Sequence, residues 1–269
     1  MQRHMRVVKR LIGLENRLKE QLKKGEVTFG AWVTIGHPDV AEVMANAGFD
    51  WIIFDTEHAP LSMETVQVLL QAINGTDVTP VIRVAWNDMV LIKRALDIGA
   101  KGILVPWVNT REEAERAVKA CRYPTAGLRG VSPRRASRYG LEWDEYLATA
   151  DKNLLVILQI ETADAVKNVE EILSVPGVDA FLVGPADLAS SLGFLGKGDH
   201  PKVVEATEKV LRAAKKLGVP AGINATNLDV AIQHAKDGFQ FIALGADFGF
   251  LLQECQDALL KVREASRKR

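Results

Sequence analysis

The chain is poor in cysteine: Cys121 and Cys255 are the only two in 269 residues, and they lie far apart. That excludes a disulfide scaffold and a cysteine-rich zinc site, and it points to a reducing, cytoplasmic setting. Net charge is also missing, since 34 Lys and Arg balance 34 Asp and Glu. A polyanion such as nucleic acid is therefore not the expected partner. Long apolar runs are absent. The longest stretch free of Asp, Glu, Lys and Arg is twelve residues, whereas a membrane-spanning helix needs about 20 apolar residues. No membrane partner is expected. Finally, no Gly-x-Gly-x-x-Gly loop follows the first apolar run, which argues against a dinucleotide-binding doubly wound sheet.

What is present is an ordinary globular composition, 48% hydrophobic and 25% charged. A chain of this size builds a core without help from disulfides or metals. Residues 1–24 carry eight Lys or Arg against two Glu. A secretory signal is excluded, because no apolar segment follows the basic start, and Glu15 and Glu20 interrupt what a mitochondrial presequence would keep free of acids. Leu11, Leu14, Leu18 and Leu22 share one helical face, which predicts an amphipathic helix within residues 1–26 covering an open end of the domain.

Eight apolar, β-rich runs follow, at 29–34, 51–54, 80–84, 102–106, 155–160, 180–183, 219–223 and 241–244. Most lack alternation, as expected for parallel strands buried on both faces. Helical patterns separate them. Ser62, Asp88 and Thr110 stand where N-caps are wanted, and Gly48, Gly75 and Gly99 where helices stop. Strand–helix alternation repeated eight times predicts a (β/α)8 barrel, one domain over residues 1–269. One interval is anomalous: about fifty residues separate the fourth and fifth runs. Residues 123–150 read as a long excursion whose first part is rich in Pro, Gly and Arg. Such loops serve either function or subunit contact.

In barrels the chemistry sits at the C-terminal ends of the strands. Those ends deliver Asp55, Glu57 and His58, then Arg83, Gln159, Glu161, the string Gly184-Pro185-Ala186-Asp187, Asn224 and Asp247. Glu161 and Asp187 follow neighbouring strands. Two converging carboxylates repel unless a cation lies between them, and an all-oxygen donor set suits Mg²⁺ or Mn²⁺. A helix cap plus an ion pair is the plainer alternative. Asp55, three residues before His58, would orient the imidazole and make it a base near neutral pH. Arg83 ends a buried strand and must meet an anion, either Glu57 or a carboxylate substrate. No lysine ends any strand, so a Schiff-base aldolase finds no candidate. Carbonyl chemistry here would use a metal as electron sink.

These residues resemble the HpcH/HpaI family of metal-dependent pyruvate aldolases. The matching strings are Asp55-Thr56-Glu57-His58-Ala59-Pro60, Val81-Ile82-Arg83-Val84, Trp86-Asn87-Asp88, Arg129-Gly130-Val131, Gln159-Ile160-Glu161-Thr162 and Gly184-Pro185-Ala186-Asp187-Leu188. They run in family order along nearly the whole chain. The resemblance implies a divalent ion (Mg²⁺, Mn²⁺ or Co²⁺) on Glu161 and Asp187. It implies that Gln159, Gly184, Pro185 and Ala186 help seat pyruvate, that Arg83 binds the keto or enolate oxygen, and that His58, supported by Asp55, handles protons. Trp32 would line the pocket. The implied reaction is reversible cleavage of a 4-hydroxy-2-oxo acid to pyruvate and an aldehyde, with oxaloacetate decarboxylation as a side activity, in a homohexamer. Two departures bear on the aldehyde. Ser132-Pro133-Arg134-Arg135 interrupts a stretch that is usually small and apolar, and Asn224 replaces an aliphatic wall residue. Both are expected to touch the aldehyde end of the pocket, or the arginines to contact another subunit. The rival readings are a lyase of malyl- or citramalyl-type acyl-CoA thioesters, and a non-catalytic barrel that binds a metal or an oxo acid.

Overall fold

Eight parallel strands close on themselves in the computed structural model, which describes residues 15–267. They are β1 (Thr28–Val33), β2 (Trp51–Asp55), β3 (Thr79–Arg83), β4 (Gly102–Val105), β5 (Leu155–Ile160), β6 (Ala180–Val183), β7 (Ala221–Asn224) and β8 (Phe241–Ala246). Each pairs with the next, and β8 returns to β1. Helices lie between consecutive strands, so the architecture is the (β/α)8 barrel expected. Ser62, Asp88 and Thr110 each accept a backbone N–H at the start of their helices. β7 begins two residues later than the apolar run, just after Pro220, which has no N–H to give a ladder. The helical pattern after β5 breaks into Ala163–Lys167 and Val169–Leu173, because Asn168 leaves the helical region there.

Strand parity separates two cores. Ile52, Phe54, Ile82, Ile103, Val156 and Leu158 face outward and pack beneath the helices. Trp51, Ile53, Val81, Leu104, Leu155, Ile157, Leu182 and Phe241 face inward and fill the lumen. Trp51 lies across the lumen, stacked on Phe241 at 3.8 Å between ring centroids. Gly30 makes room for it, since a Cβ there would come within 2.1 Å of the indole. Because side chains alternate, two steps past Ile53 comes Asp55, two past Val81 comes Arg83, and two past Ile157 comes Gln159. The topmost inward layer is therefore polar by the same parity that makes the lower layers apolar.

The floor is closed by the helix Arg17–Lys23, which sends Leu18 and Leu22 into the lumen core. Asn16 caps it and also donates to the Lys101 and Asn153 carbonyls, both at 2.8 Å. Lys19 adds a bond to the Leu154 carbonyl and an ion pair with Asp179 at 2.8 Å. The expected capping role is thus met by these residues; Leu11 and Leu14 lie outside the described ones.

The excursion after β4 is not structureless. It holds a short 3-10 turn, Arg135–Gly140, and a helix, Trp143–Asn153. Arg129 is buried, stacked on Tyr123, bonded to the Tyr146 hydroxyl at 2.8 Å and paired with Asp97 at 3.1 Å. Arg135 donates to the carbonyls of Ile98 and Leu70, at the C-terminal ends of two helices. In a barrel those helix ends lie at the floor, away from the C-terminal ends of the strands. The expectation that the Ser132–Arg135 segment touches the aldehyde end of its own pocket is therefore corrected. Its Arg135 satisfies orphan helix carbonyls instead.

Candidate active site

Arg83 organises the polar layer. Its Nε and Nη2 donate to the two carboxylate oxygens of Asp55 at 2.9 and 2.7 Å, an in-register pair across β2 and β3. Its Nη1 lies 3.1 Å from Glu57 Oε2. The guanidinium carbon sits 4.3 Å from the centroid of the Trp32 ring, a cation–π contact. The Trp32 indole N–H in turn donates to Asn224 Oδ1 at 2.8 Å. Asn224 thus holds the indole that covers Arg83, and its amide orientation is set by that bond.

Asp55 does not orient the His58 imidazole. Its Oδ1 accepts the backbone N–H of Glu57 and of His58, and both of its oxygens go to Arg83. The expected carboxylate–imidazole pair is replaced by a carboxylate–guanidinium pair, because β3 delivers a stronger, bidentate partner. The His58 ring is largely exposed at the mouth, with Nε2 3.9 Å from Glu57 Oε2. Burial pushes the Asp55 carboxyl up, but Arg83 and the two backbone N–H groups outweigh that and hold it below the usual range.

Glu57 behaves in the opposite way. Burial raises its carboxyl to about 7 against the pull of Arg83, with Asp55 and Asp187 adding repulsion. Glu161, 1% exposed, is likewise pushed up to about 7, chiefly by burial and further by Glu57 and Asp187. Glu161 is held from two sides: the Trp107 backbone N–H donates to Oε1 at 2.8 Å, and Gln159 Nε2 donates to Oε2. Gly184 permits this packing, because a Cβ there would sit 3.1 Å from Glu161 Oε2 and 3.2 Å from Gln159 Nε2. Asp187 stands half-buried in the first turn of the helix Pro185–Ser191. Asp247, another strand-end acid, faces elsewhere. It accepts from Thr34 N, Thr34 Oγ1 and Ile35 N, and so fastens β8 to the end of β1.

A cavity of about 1160 Å³ opens at this mouth, and Trp32, Asp55, His58, Arg83, Gln159, Asn224 and the stretch from Gly184 to Asp187 all line it. Glu161 joins the site through its bond from Gln159. The structure thus gathers the sequence-derived residues at one place. Glu57 was expected only as a possible ion-pair partner of Arg83, and Trp107 was not among them. Glu57 had a signal, its place between Asp55 and His58. Trp107 had none, since it acts through its backbone.

The residues fit a divalent ion. Three carboxyl groups, Glu57, Glu161 and Asp187, repel one another with Arg83 as the cation among them. Gln159 Oε1 is buried without a hydrogen-bond partner beside them. No group of three or more His, Cys, Asp or Glu is arranged to hold a metal among the described residues. The protein would then contribute two carboxylates and leave the other positions to water or substrate, as hard cations allow. Each Glu161 oxygen keeps a second acceptor site after its hydrogen bond.

The HpcH/HpaI aldolase/citrate lyase family model matches residues 28–253. A pyruvate aldolase of Rhizobium etli is 45% identical over 237 residues, covering 88% of this chain and 93% of its own. A 4-hydroxy-2-oxo-heptane-1,7-dioate aldolase of Escherichia coli is 41% identical over 245 residues, covering 90% and 93%. A solved family structure from Burkholderia cenocepacia J2315 superposes with a TM-score of 0.90 at 41% identity, covering 92% of this chain and 99% of that one. With matches of this extent along a barrel of this architecture, the chain belongs to the HpcH/HpaI aldolase/citrate lyase family.

Proposed function

We propose that this chain is a carbon–carbon lyase, a divalent-metal-dependent aldolase that reversibly cleaves a 4-hydroxy-2-oxo acid to pyruvate and an aldehyde. The observation that carries the reading is Arg83, pinned by Asp55 and Glu57 in the cavity that Gln159, itself bonded to the buried Glu161, also lines. Glu161 and Asp187 would hold the ion, Mg²⁺, Mn²⁺ or Co²⁺. When bound, it polarises the keto group and acidifies the neighbouring methyl protons. Arg83 is already oriented, so it offers positive charge to the developing enolate without reorganising, an effect commonly worth several kcal/mol. Gln159 and the backbone from Gly184 to Asp187 seat the substrate carboxylate. His58, whose Nε2 faces Glu57, takes and returns the proton at the open side of the cavity. Trp32, held by Asn224, shields the Arg83 face from water.

Proton-to-deuterium exchange at the pyruvate methyl group tests this without knowledge of the aldehyde. EDTA-treated protein should be silent, and Mg²⁺, Mn²⁺ or Co²⁺ should start the exchange seen by NMR. Glu161→Ala and Asp187→Ala should abolish it. Arg83→Ala should slow exchange far more than it weakens pyruvate binding. Folded, metal-binding protein that exchanges with no ion would refute the reading.

The chain is further proposed to assemble with copies of itself, as a hexamer. The helix Asp247–Arg267 supports this: Asp247 is its one buried residue, while Phe248, Leu251, Leu252, Leu259, Leu260 and Val262 are all exposed. So much apolar surface on one helix marks a contact face.

A further inference from the structure

Trp107 has a left-handed backbone, φ 56°, which only glycine adopts freely. A non-glycine residue in that region is strained, and such strain concentrates at functional sites. Here it has a visible product. The chain leaves β4 at Pro106, turns at Trp107, and points the Trp107 N–H at Glu161 Oε1, 2.8 Å away. The turn is held from the other side. Asn109 Nδ2 donates to the Trp107 carbonyl at 3.1 Å, the Thr162 hydroxyl donates to Asn109 Oδ1, and the backbone N–H of Asn109 donates to Glu113 Oε2 at 2.7 Å. Thr162 is the residue after Glu161 and caps the helix Ala163–Lys167. The contacts therefore close a ring, from Glu161 to Trp107, Asn109 and Thr162 and back along the chain to Glu161. The Trp107 indole is not part of it. Trp107 is 40% exposed, and its indole leans on Trp86, 6.3 Å between centroids.

We propose that Trp107, through its backbone, and Asn109, through its side chain, are positioning residues that aim Glu161 for a divalent ion. A buried carboxylate with free rotamers could turn either oxygen anywhere. One fixed N–H on Oε1 and one amide on Oε2 hold the carboxylate in one orientation and leave one open acceptor site on each oxygen. The proposal rests on the reading of Glu161 as a metal ligand.

The test is direct Mn²⁺ binding, read as free-ion signal by electron paramagnetic resonance. Trp107→Pro removes the N–H and forbids the turn. Trp107→Gly keeps both and deletes the indole. Asn109→Ala frees the Trp107 carbonyl. Trp107→Pro and Asn109→Ala should each weaken Mn²⁺ binding by about 10- to 100-fold, the usual effect of losing a ligand's outer hydrogen bond. Trp107→Gly should stay within about threefold of the parent. Thermal unfolding checks that each variant folds; should Trp107→Pro not fold, Asn109→Ala against Trp107→Gly decides. Parental affinity in folded Asn109→Ala, or a loss in Trp107→Gly equal to that in Asn109→Ala, overturns the proposal. Glu161→Gln separates the two levels. If it too binds Mn²⁺ like the parent, the ligand assignment is what fails.

Discussion

Arg83 and Glu57 show why a residue's neighbours outweigh its type. Asp55 and Glu57 both approach the same guanidinium, yet one carboxyl is held low and the other raised to about 7. Asp55 has two Arg83 nitrogens and two backbone N–H groups; Glu57 has a single Arg83 nitrogen at 3.1 Å and the repulsion of Asp55 and Asp187. In the unfolded chain Glu57 would titrate at its ordinary value of 4.5. Between 4.5 and 7 the folded protein keeps a proton that the unfolded chain has released. The stabilisation is complete below 4.5 and is lost as pH rises through 7. Metal-free protein should therefore lose about 2 kcal/mol more stability between pH 5 and pH 7.5 than its Glu57→Gln variant does. Urea denaturation in EDTA at the two pH values measures it; equal losses would show that Glu57 titrates as an ordinary carboxyl. Glu161 shifts in the same direction, and since Glu57 supplies part of that shift, the difference between the two proteins reads Glu57 together with its coupling to Glu161.

Elements divide the barrel into a working end and a supporting end. The excursion after β4 belongs to the support. Arg129 spans Tyr123, Tyr146 and Asp97, and Arg135 binds the ends of two helices. Arg129→Ala would leave Asp97 partly buried without its cation and open a void between two aromatic rings. A loss of about 3 kcal/mol in urea denaturation is expected, within the range for breaking a buried ion pair. Mn²⁺ affinity should not change, because the site is at the other end of the strands. A joint loss of both would place the excursion in contact with the mouth. The composition of this segment marked it as unusual but did not say which end it served. Pro, Gly and Arg describe a loop equally well at either end, and only the Ile98 and Leu70 carbonyls located it.

For the molecule as a whole, the helix Asp247–Arg267 is the part a single chain leaves unfinished. The helix Pro201–Leu217 buries Val203, Val210, Leu211, Ala213 and Ala214, whereas this one touches the barrel near β8 and β1 and then leaves its apolar residues in the open. Leu252→Glu together with Leu259→Glu should shift the protein from an oligomer to a monomer in size-exclusion chromatography with light scattering. An unchanged mass would overturn the proposed role of this helix as a contact face. No helix among the described residues is long and apolar enough to cross a membrane.

The order of the strands, the parity of their side chains and the positions of Asp55, Arg83, Gln159, Glu161 and Asp187 were legible in the linear chain. Each follows from a short-range rule: apolar runs make buried strands, alternation sets the inward side, and polar residues gather where those runs end. Partnership was not legible. Asp55 stands three residues from His58 in sequence, but its carboxylate faces Arg83, 28 residues away, because β2 and β3 pair in register. Asn224 meets Trp32, 192 residues away, because β8 returns to β1 and closes the barrel. Trp107 serves Glu161 through a backbone N–H that no side-chain pattern encodes. Local periodicity fixes which way a side chain points, and barrel closure decides what it meets there.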